Sequence, residues 1–141
     1  MEIEQREREG ILILDIHGRL IVGEPVAELR ERMSTLAESG TKSLLVNLQE
    51  CDYIDSTGLG GLVIGYTTMK KAGGAMKLLN LSRRNIELLV LTKLTTVFEV
   101  FDDEQDAINS FFPNREIKKF DILNFVKQQE EEDEKDNAKE R

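Results

Sequence analysis

The sequence predicts a mixed α/β fold in which a mostly parallel sheet of about four to five strands is flanked by about four helices. Short apolar segments typical of buried strands alternate with segments whose apolar residues recur every three or four positions, as on one face of a helix. Residues 44–48 are apolar except at Asn47, which indicates a central strand covered on both faces. A chain of 141 residues, 40% of them hydrophobic, is long enough for one such domain.

The first half of the chain is predicted to form a hairpin and a helix. Ile11–Ile16 is a strand, and a turn at residues 8–10 would pair it with an edge strand in the charged segment before it. Residues 18–23 are expected to form a loop or a short strand. Pro25 suits a first helical turn, and Gly40 ends that helix. Its inward residues at helical spacing are Val26, Leu29, Met33, Leu36 and Ala37.

The second half continues the alternation after a glycine-rich helix that is considered below. Residues 76–81 are the next strand, and Ser82 caps a helix that runs to about Leu91. Residues 96–101 form the last strand. A final helix begins at residues 102–105, and Pro113 ends it. Its inward residues are Ala107, Ile108, Phe111 and Phe112.

Beyond the domain at residues 1–113, two short segments differ in character. In residues 114–127, apolar residues spaced by three predict an extra amphipathic helix, which either completes the core or binds a partner. These residues are Ile117, Phe120, Leu123 and Val126. Residues 128–141 hold seven acidic and three basic residues, a net charge of −4, and are expected to form a solvated, frayed tail.

The segment Asp55-Ser56-Thr57-Gly58-Leu59-Gly60-Gly61 stands where a strand leads into a helix that runs from about residue 57 to Lys71. A helix N-terminus presents unpaired N–H groups and a positive dipole end, so Asp or Ser here is a natural N-cap. Capping alone would explain the polar residues. It does not explain the glycines at 58, 60, 61 and 65, since each costs about 1 kcal/mol in a helix interior. Close approach by another backbone or by a partner is the usual reason.

The helical wheel divides this helix into two faces. The core face carries Leu59, Leu62, Val63, Tyr66 and Met69. The opposite face carries Gly60, Ile64, Thr67, Thr68 and Lys71. Gly60 and Ile64 make a small, partly apolar stripe beside Ser56. This stripe is predicted to be a docking surface with a modifiable hydroxyl at its edge.

Charge and composition exclude several classes of function. A net charge of −8 without a basic cluster argues against direct nucleic-acid binding. No apolar run approaches the roughly 20 residues of a membrane span, and the N-terminus does not resemble a signal peptide. Cys51 is the single cysteine, so no internal disulfide is expected. We therefore expect a cytoplasmic protein without membrane insertion.

Catalysis and nucleotide binding are not supported by the residues present. A nucleophilic Ser56 would need a base and an oxyanion site, and His17 is the only histidine. The dinucleotide fingerprint would need a third glycine where Val63 stands, and the P-loop lysine is absent. His17 has no accompanying metal ligands. We expect no catalytic residue, no cofactor and no metal site.

Six short segments carry a family resemblance that extends over about residues 3–112. In chain order they are Gly18–Leu20, Val26–Glu31, Leu45–Leu48, Tyr53–Gly60, Lys77–Asn80 and Val97–Phe101. They resemble STAS domains, and most of all the stand-alone anti-sigma factor antagonists of bacteria. Residues 55–60 are the most specific part. One departure is Arg19, which stands where many relatives carry an acid.

This resemblance implies a curved sheet flanked by helices and a phosphorylation switch. Ser56 would be the phosphoacceptor of an anti-sigma factor serine kinase, with Thr57 as the fallback. The unphosphorylated chain would bind the anti-sigma factor and free the sigma factor, and a serine phosphatase would restore binding. The implied partner-binding residues are Asp55, Ser56, Thr57, Gly58, Gly60, Gly61, Ile64 and Thr68. The alternative is a STAS interaction module of a transport system or signalling scaffold without phosphorylation.

Overall fold

The computed structural model describes residues 1–117 and 120–139. The described strands are β1 (Glu2–Arg8), β2 (Ile11–Leu20), β3 (Ser43–Asn47), β4 (Cys51–Ile54), β5 (Ala75–Leu79) and β6 (Val100–Phe101). The described α-helices are α1 (Glu24–Glu38), α2 (Ser56–Lys71), α3 (Arg83–Leu91), α4 (Glu104–Asn109) and α5 (Ile122–Lys139). None of the described helices is both long enough and apolar enough to cross a membrane.

The main sheet has the strand order β1-β2-β3-β5-β6. β1 runs antiparallel to β2 through the predicted hairpin, while the β2–β3, β3–β5 and β5–β6 pairs are parallel. The predicted α/β class with a mostly parallel sheet and flanking helices is confirmed.

Alternating side chains of the central strands fill two separate cores, one on each face of the sheet. Leu14, Leu44 and Val46 point into the larger core, which α1, α2 and α3 cover. Ile13 and Leu45 point into a smaller core, which α4 covers with Ala107 and Ile108. Both faces of β2 and β3 are therefore buried, as expected of central strands in a parallel sheet.

A bulge in β2 builds the end of the sheet that carries the glycine-rich helix. The register shifts between Gly18 and Arg19, and Gly18 adopts a φ of 106° that favours glycine. Beyond this point β2 pairs with β4 rather than with β3. Residues 18–20 thus belong to β2, and the segment between β3 and the glycine-rich helix contains β4, a strand that was not predicted. Its four residues, Cys51–Ile54, are too few to show a periodicity.

The predicted strand at 96–101 is wrong in most of its length. A short 3₁₀ turn occupies Leu94–Thr96, and only Val100 and Phe101 pair with β5. Phe98 is nevertheless buried and packs edge-on against Tyr66 of α2, with ring centroids 5.7 Å apart. Packing on the larger core, without strand pairing, thus explains the apolar residues Val97 and Phe98.

The C-terminal segment also differs from its prediction. The residues spaced by three do not form one helical face, because Ile117 packs on the smaller core and Phe120 on the larger one, both before α5 begins. Leu123 is 76% exposed. Helix α5 then continues through the predicted boundary at Lys127 and includes residues 128–139, where a frayed tail was expected. Residues 140 and 141 of that tail lie outside the described residues.

Candidate functional site

Asp55 caps α2 and ties it to the loop that follows β2. The Gly58 N–H donates to Asp55 Oδ1 (2.7 Å), and the Val22 N–H donates to Asp55 Oδ2 (2.9 Å). The bond from Val22, and to a lesser degree the bond from Gly58, holds the pKa of the Asp55 carboxyl below its ordinary value. Both carboxylate oxygens are thus committed to backbone donors, and Asp55 organises the site.

Ser56 and Thr57 are the first two residues of α2, and both are exposed. Since Asp55 is the cap, a capping role does not explain Ser56. Within residues 1–117 and 120–139, neither hydroxyl forms a hydrogen bond. The Ser56 hydroxyl is therefore accessible, uncommitted and placed at the positive end of a helix of 16 residues.

Three of the four glycines of α2 serve packing. A Cβ at Gly58 would overlap the carbonyl oxygen of Leu20, and one at Gly65 would overlap the Met33 sulfur. A Cβ at Gly61 would lie 3.2 Å from Val26 Cγ1. All three glycines are buried, and this packing accounts for Gly58 and Gly61, whose part in partner binding stays a prediction. They let α2 approach the end of β2 and helix α1 closely.

The other face of α2 forms an open stripe, consisting of Gly60, Ile64 and Thr68. Nothing lies within 4 Å of the position that a Cβ would take at Gly60. Ile64 is 43% exposed, and the Thr68 hydroxyl donates to the Ile64 carbonyl (2.8 Å), so its polar hydrogen is already satisfied. The structure thus places an accessible, partly apolar stripe on the helix that begins at Ser56.

Helix α1 supplies the second wall of this stripe, which the sequence interpretation missed. Ile64 and Thr68 share a groove with residues that lie on the exposed side of α1. These residues are Ala27, Arg30, Glu31 and Ser34. They recur at spacings of three and four, so they could be recognised as one side of α1, but not as neighbours of Ile64.

A second group missed by the sequence interpretation lies on the opposite side of Ser56. The ring of Tyr53 in β4 has two guanidinium groups near its faces, that of Arg84 at 4.2 Å from the ring centroid and that of Arg19 at 4.9 Å. Tyr53, Ser56 and Arg84 line one cavity of about 340 Å³ between β4, α2 and α3. Because the two arginines and the tyrosine come from three separate segments, no local pattern could reveal the cluster.

The described part of the chain contains no candidate metal centre. Within that part, no group of three or more His, Cys, Asp or Glu side chains is arranged to hold a metal ion. His17 lies in β2 opposite Glu2 of β1, and its Nε2 is 3.7 Å from the carboxylate of Glu4.

Comparison with known proteins gives one consistent family. The family model described as STAS domain matches residues 2–107. The anti-sigma-B factor antagonist of Bacillus subtilis is 36% identical over 101 residues, which cover 71% of this chain and 90% of that protein.

Solved structures of related proteins share the fold. An anti-sigma factor antagonist from Mycobacterium paratuberculosis superposes with a TM-score of 0.67 at 17% identity, over 77% of this chain and 92% of that chain. The Bacillus protein SpoIIAA in its phosphorylated form gives a TM-score of 0.62 at 19% identity, over 78% of this chain and 99% of its own. Its unphosphorylated form gives 0.61, also at 19% identity, over 79% and 99% of the two chains.

Proposed function

This chain belongs to the STAS domain family, and we propose that it acts as an anti-sigma factor antagonist switched by phosphorylation of Ser56. In its unphosphorylated form it binds an anti-sigma factor that is also a serine kinase, and so frees a sigma factor. A serine phosphatase returns it to that form, and Thr57 is the fallback acceptor. It works in the cytoplasm, contacts no nucleic acid directly and performs no catalysis of its own.

The observation that carries this proposal is the uncommitted hydroxyl of Ser56 at the edge of an exposed stripe. Asp55 caps the helix, so the Ser56 hydroxyl is not needed for capping. Gly60 and Ile64 stand one and two turns further along the same helix. A phosphoryl group on Ser56 would therefore change the charge of a docking surface without removing any contact of the core.

The glycine at position 60 supports docking on the stripe. A glycine in a helix interior costs about 1 kcal/mol relative to alanine. Packing does not explain this cost, since a Cβ at Gly60 would have open space around it. Close approach of a partner backbone would explain it.

The electrostatics of phosphorylation favour a switch without refolding. Phosphorylation adds a charge of about −1.5 to −2, which the N-terminus of α2 stabilises by roughly 0.3–1 kcal/mol. The neighbouring carboxylates of Asp52 and Asp55 oppose it. Because these local contributions act in opposite directions, the fold should change little while the surface gains negative charge.

The reaction is a phosphoryl transfer supplied by the partner kinase. A bond forms between Ser56 Oγ and the γ-phosphorus of ATP, the bond from that phosphorus to the β,γ-bridging oxygen breaks, and ADP leaves. The hydroxyl proton passes to a base of the kinase. The chain itself contributes the acceptor and the surface by which the kinase holds it.

Mass spectrometry tests the acceptor directly. The full chain is incubated with ATP and the serine kinase anti-sigma factor encoded in its own genome, beside the variants Ser56→Ala and Thr57→Ala. We expect one phosphoryl group, located on Ser56, in the wild type and in Thr57→Ala, and none in Ser56→Ala. Phosphate found only at other residues would refute the assignment. A pull-down that recovers a permease complex and no kinase would favour the transport-system alternative.

A further inference from the structure

The cavity of about 340 Å³ beside Ser56 joins the proposed acceptor to helix α3. Tyr53 of β4, Ser56 of α2 and Arg84 of α3 all line it. A phosphoryl group on Ser56 has room to turn towards α3.

Arg84 differs sharply from its neighbour Arg83. Arg83 forms ion pairs with Glu87 (3.2 Å) and Asp133 (2.6 Å). Among the side chains that the structure describes, no carboxylate forms an ion pair with Arg84. Its guanidinium instead lies over the ring of Tyr53. Arg84 thus lines the cavity of Ser56 with no carboxylate paired to it among the described side chains.

We propose that Arg84 receives the phosphoryl group when Ser56 is phosphorylated, a role that rests on the proposed function. A guanidinium presents a planar fork of N–H donors that matches phosphate oxygens, and pairs of this kind are charge-assisted. Stacking on Tyr53 restricts the guanidinium in advance, which lowers the entropy lost on pairing. The phosphorylated state is thereby defined by a contact inside this chain, in addition to its charge.

The other charged groups around the cavity determine how strongly Arg84 can stabilise a phosphate on Ser56. Asp55 at the start of α2 and Glu87 on α3 both oppose a phosphate. Glu87 is already engaged by Arg83. Arg19 lies near the Tyr53 ring and is expected to contribute less than Arg84, since it does not line the cavity.

The second ionisation of the phosphoserine reports this contact. A nearby guanidinium favours the dianion, so the second pKa of the phosphate, about 6 for an ordinary phosphoserine, should be lower in the wild type. The full chain is made with phosphoserine incorporated at position 56 during translation, so that no kinase is needed. The ³¹P chemical shift is then followed from pH 4 to 8. A negative result would therefore refute the contact with Arg84 without bearing on whether a kinase phosphorylates Ser56.

We expect Arg84→Gln to raise the second pKa by about 0.5 and Arg19→Gln to raise it by less. Arg83→Gln is the matched control, since it removes a charge from the adjacent position; because it also frees Glu87, it should raise the value, but by less than Arg84→Gln does. An equal pKa in the wild type and Arg84→Gln, or equal shifts in Arg83→Gln and Arg84→Gln, would overturn the proposal. Circular dichroism checks that each variant is folded.

A measurement on the wild type alone keeps the proposal falsifiable if a variant misfolds. The Nε–H resonance of Arg84 is compared between the chain with serine and the chain with phosphoserine at position 56. We expect it to move and to titrate with the phosphate. A resonance that is the same in both forms would exclude the contact.

Discussion

The two faces of helix α2 use the same residue type for opposite purposes. Gly58 and Gly61 face inward, where a Cβ would overlap the Leu20 carbonyl at Gly58 and would lie tightly against Val26 at Gly61. Gly60 faces outward, where nothing lies within 4 Å of the Cβ position. Packing within the chain explains the inner glycines, while the outer one has no such reason. One short motif therefore encodes both the position of the helix and the surface that it offers.

The largest effect expected from this comparison is on stability, at Gly58. Gly58→Ala forces a Cβ onto the backbone of Leu20, which cannot yield as a flexible side chain would. We expect a loss of about 3 kcal/mol in the free energy of unfolding, at the upper end of ordinary overpacking. Urea denaturation measures it.

Gly60→Ala is the matched control for Gly58→Ala. It should raise stability by up to about 1 kcal/mol, because helix propensity improves and nothing clashes. The same variant should bind the anti-sigma factor less tightly. Equal losses of stability in Gly58→Ala and Gly60→Ala would contradict the conclusion that only the inner face of α2 lacks room for a Cβ.

The second effect is on binding, at Ile64. If the stripe docks on a partner, Ile64→Glu buries an unpaired carboxylate and should weaken the complex a hundredfold or more, about 2.7 kcal/mol. Stability should be unchanged or slightly higher, since Ile64 is exposed in the free chain. Leu123→Glu, at another exposed apolar residue, is the control and should bind normally. Calorimetry measures affinity. If Ile64→Glu bound the partner as tightly as the wild type does, the partner would have to dock on another surface.

The smallest effect is expected at the C-terminus. Truncation after Lys127 removes much of α5 and the ion pair from Asp133 to Arg83, both of whose side chains are about half exposed. Such a surface pair contributes about 0.2–1 kcal/mol. The melting temperature should therefore fall by no more than about 4 °C.

Truncation after Pro113 is the contrast to this cut. It also removes Ile117 and Phe120, which pack on the two cores, and should lower the melting temperature further. An equally large fall after the cut at Lys127 would show that residues 128–141 are part of the folded domain.

The sequence was most informative where burial is local and periodic. β2, β3, β5 and the caps at Asp55 and Ser82 follow from apolar runs, glycines and capping residues. β4 was not predicted, because a strand of four residues, one of them charged, is too short to show an alternation of apolar and polar positions.

For the site, the motif indicated that some backbone or partner comes close to α2. It could not show that Gly58 is packed against the chain while Gly60 is open, because this difference depends on the position of the Leu20 carbonyl in the folded chain. Arg19 and Arg84, which both lie near Tyr53, are each more than 30 residues away from it along the chain. Contacts of that kind are set by the tertiary fold.

The measurement that tests the central claim most directly is the affinity of the anti-sigma factor for the chain with and without phosphate on Ser56. Titration calorimetry compares the wild type before and after incubation with the kinase and ATP, and Ser56→Ala after the same incubation is the control. We expect tight binding before incubation, at least a hundredfold loss after it, and undiminished binding by Ser56→Ala. Ser56→Asp should be weakened without any kinase. Equal affinity of the phosphorylated and unphosphorylated chains would contradict the switch.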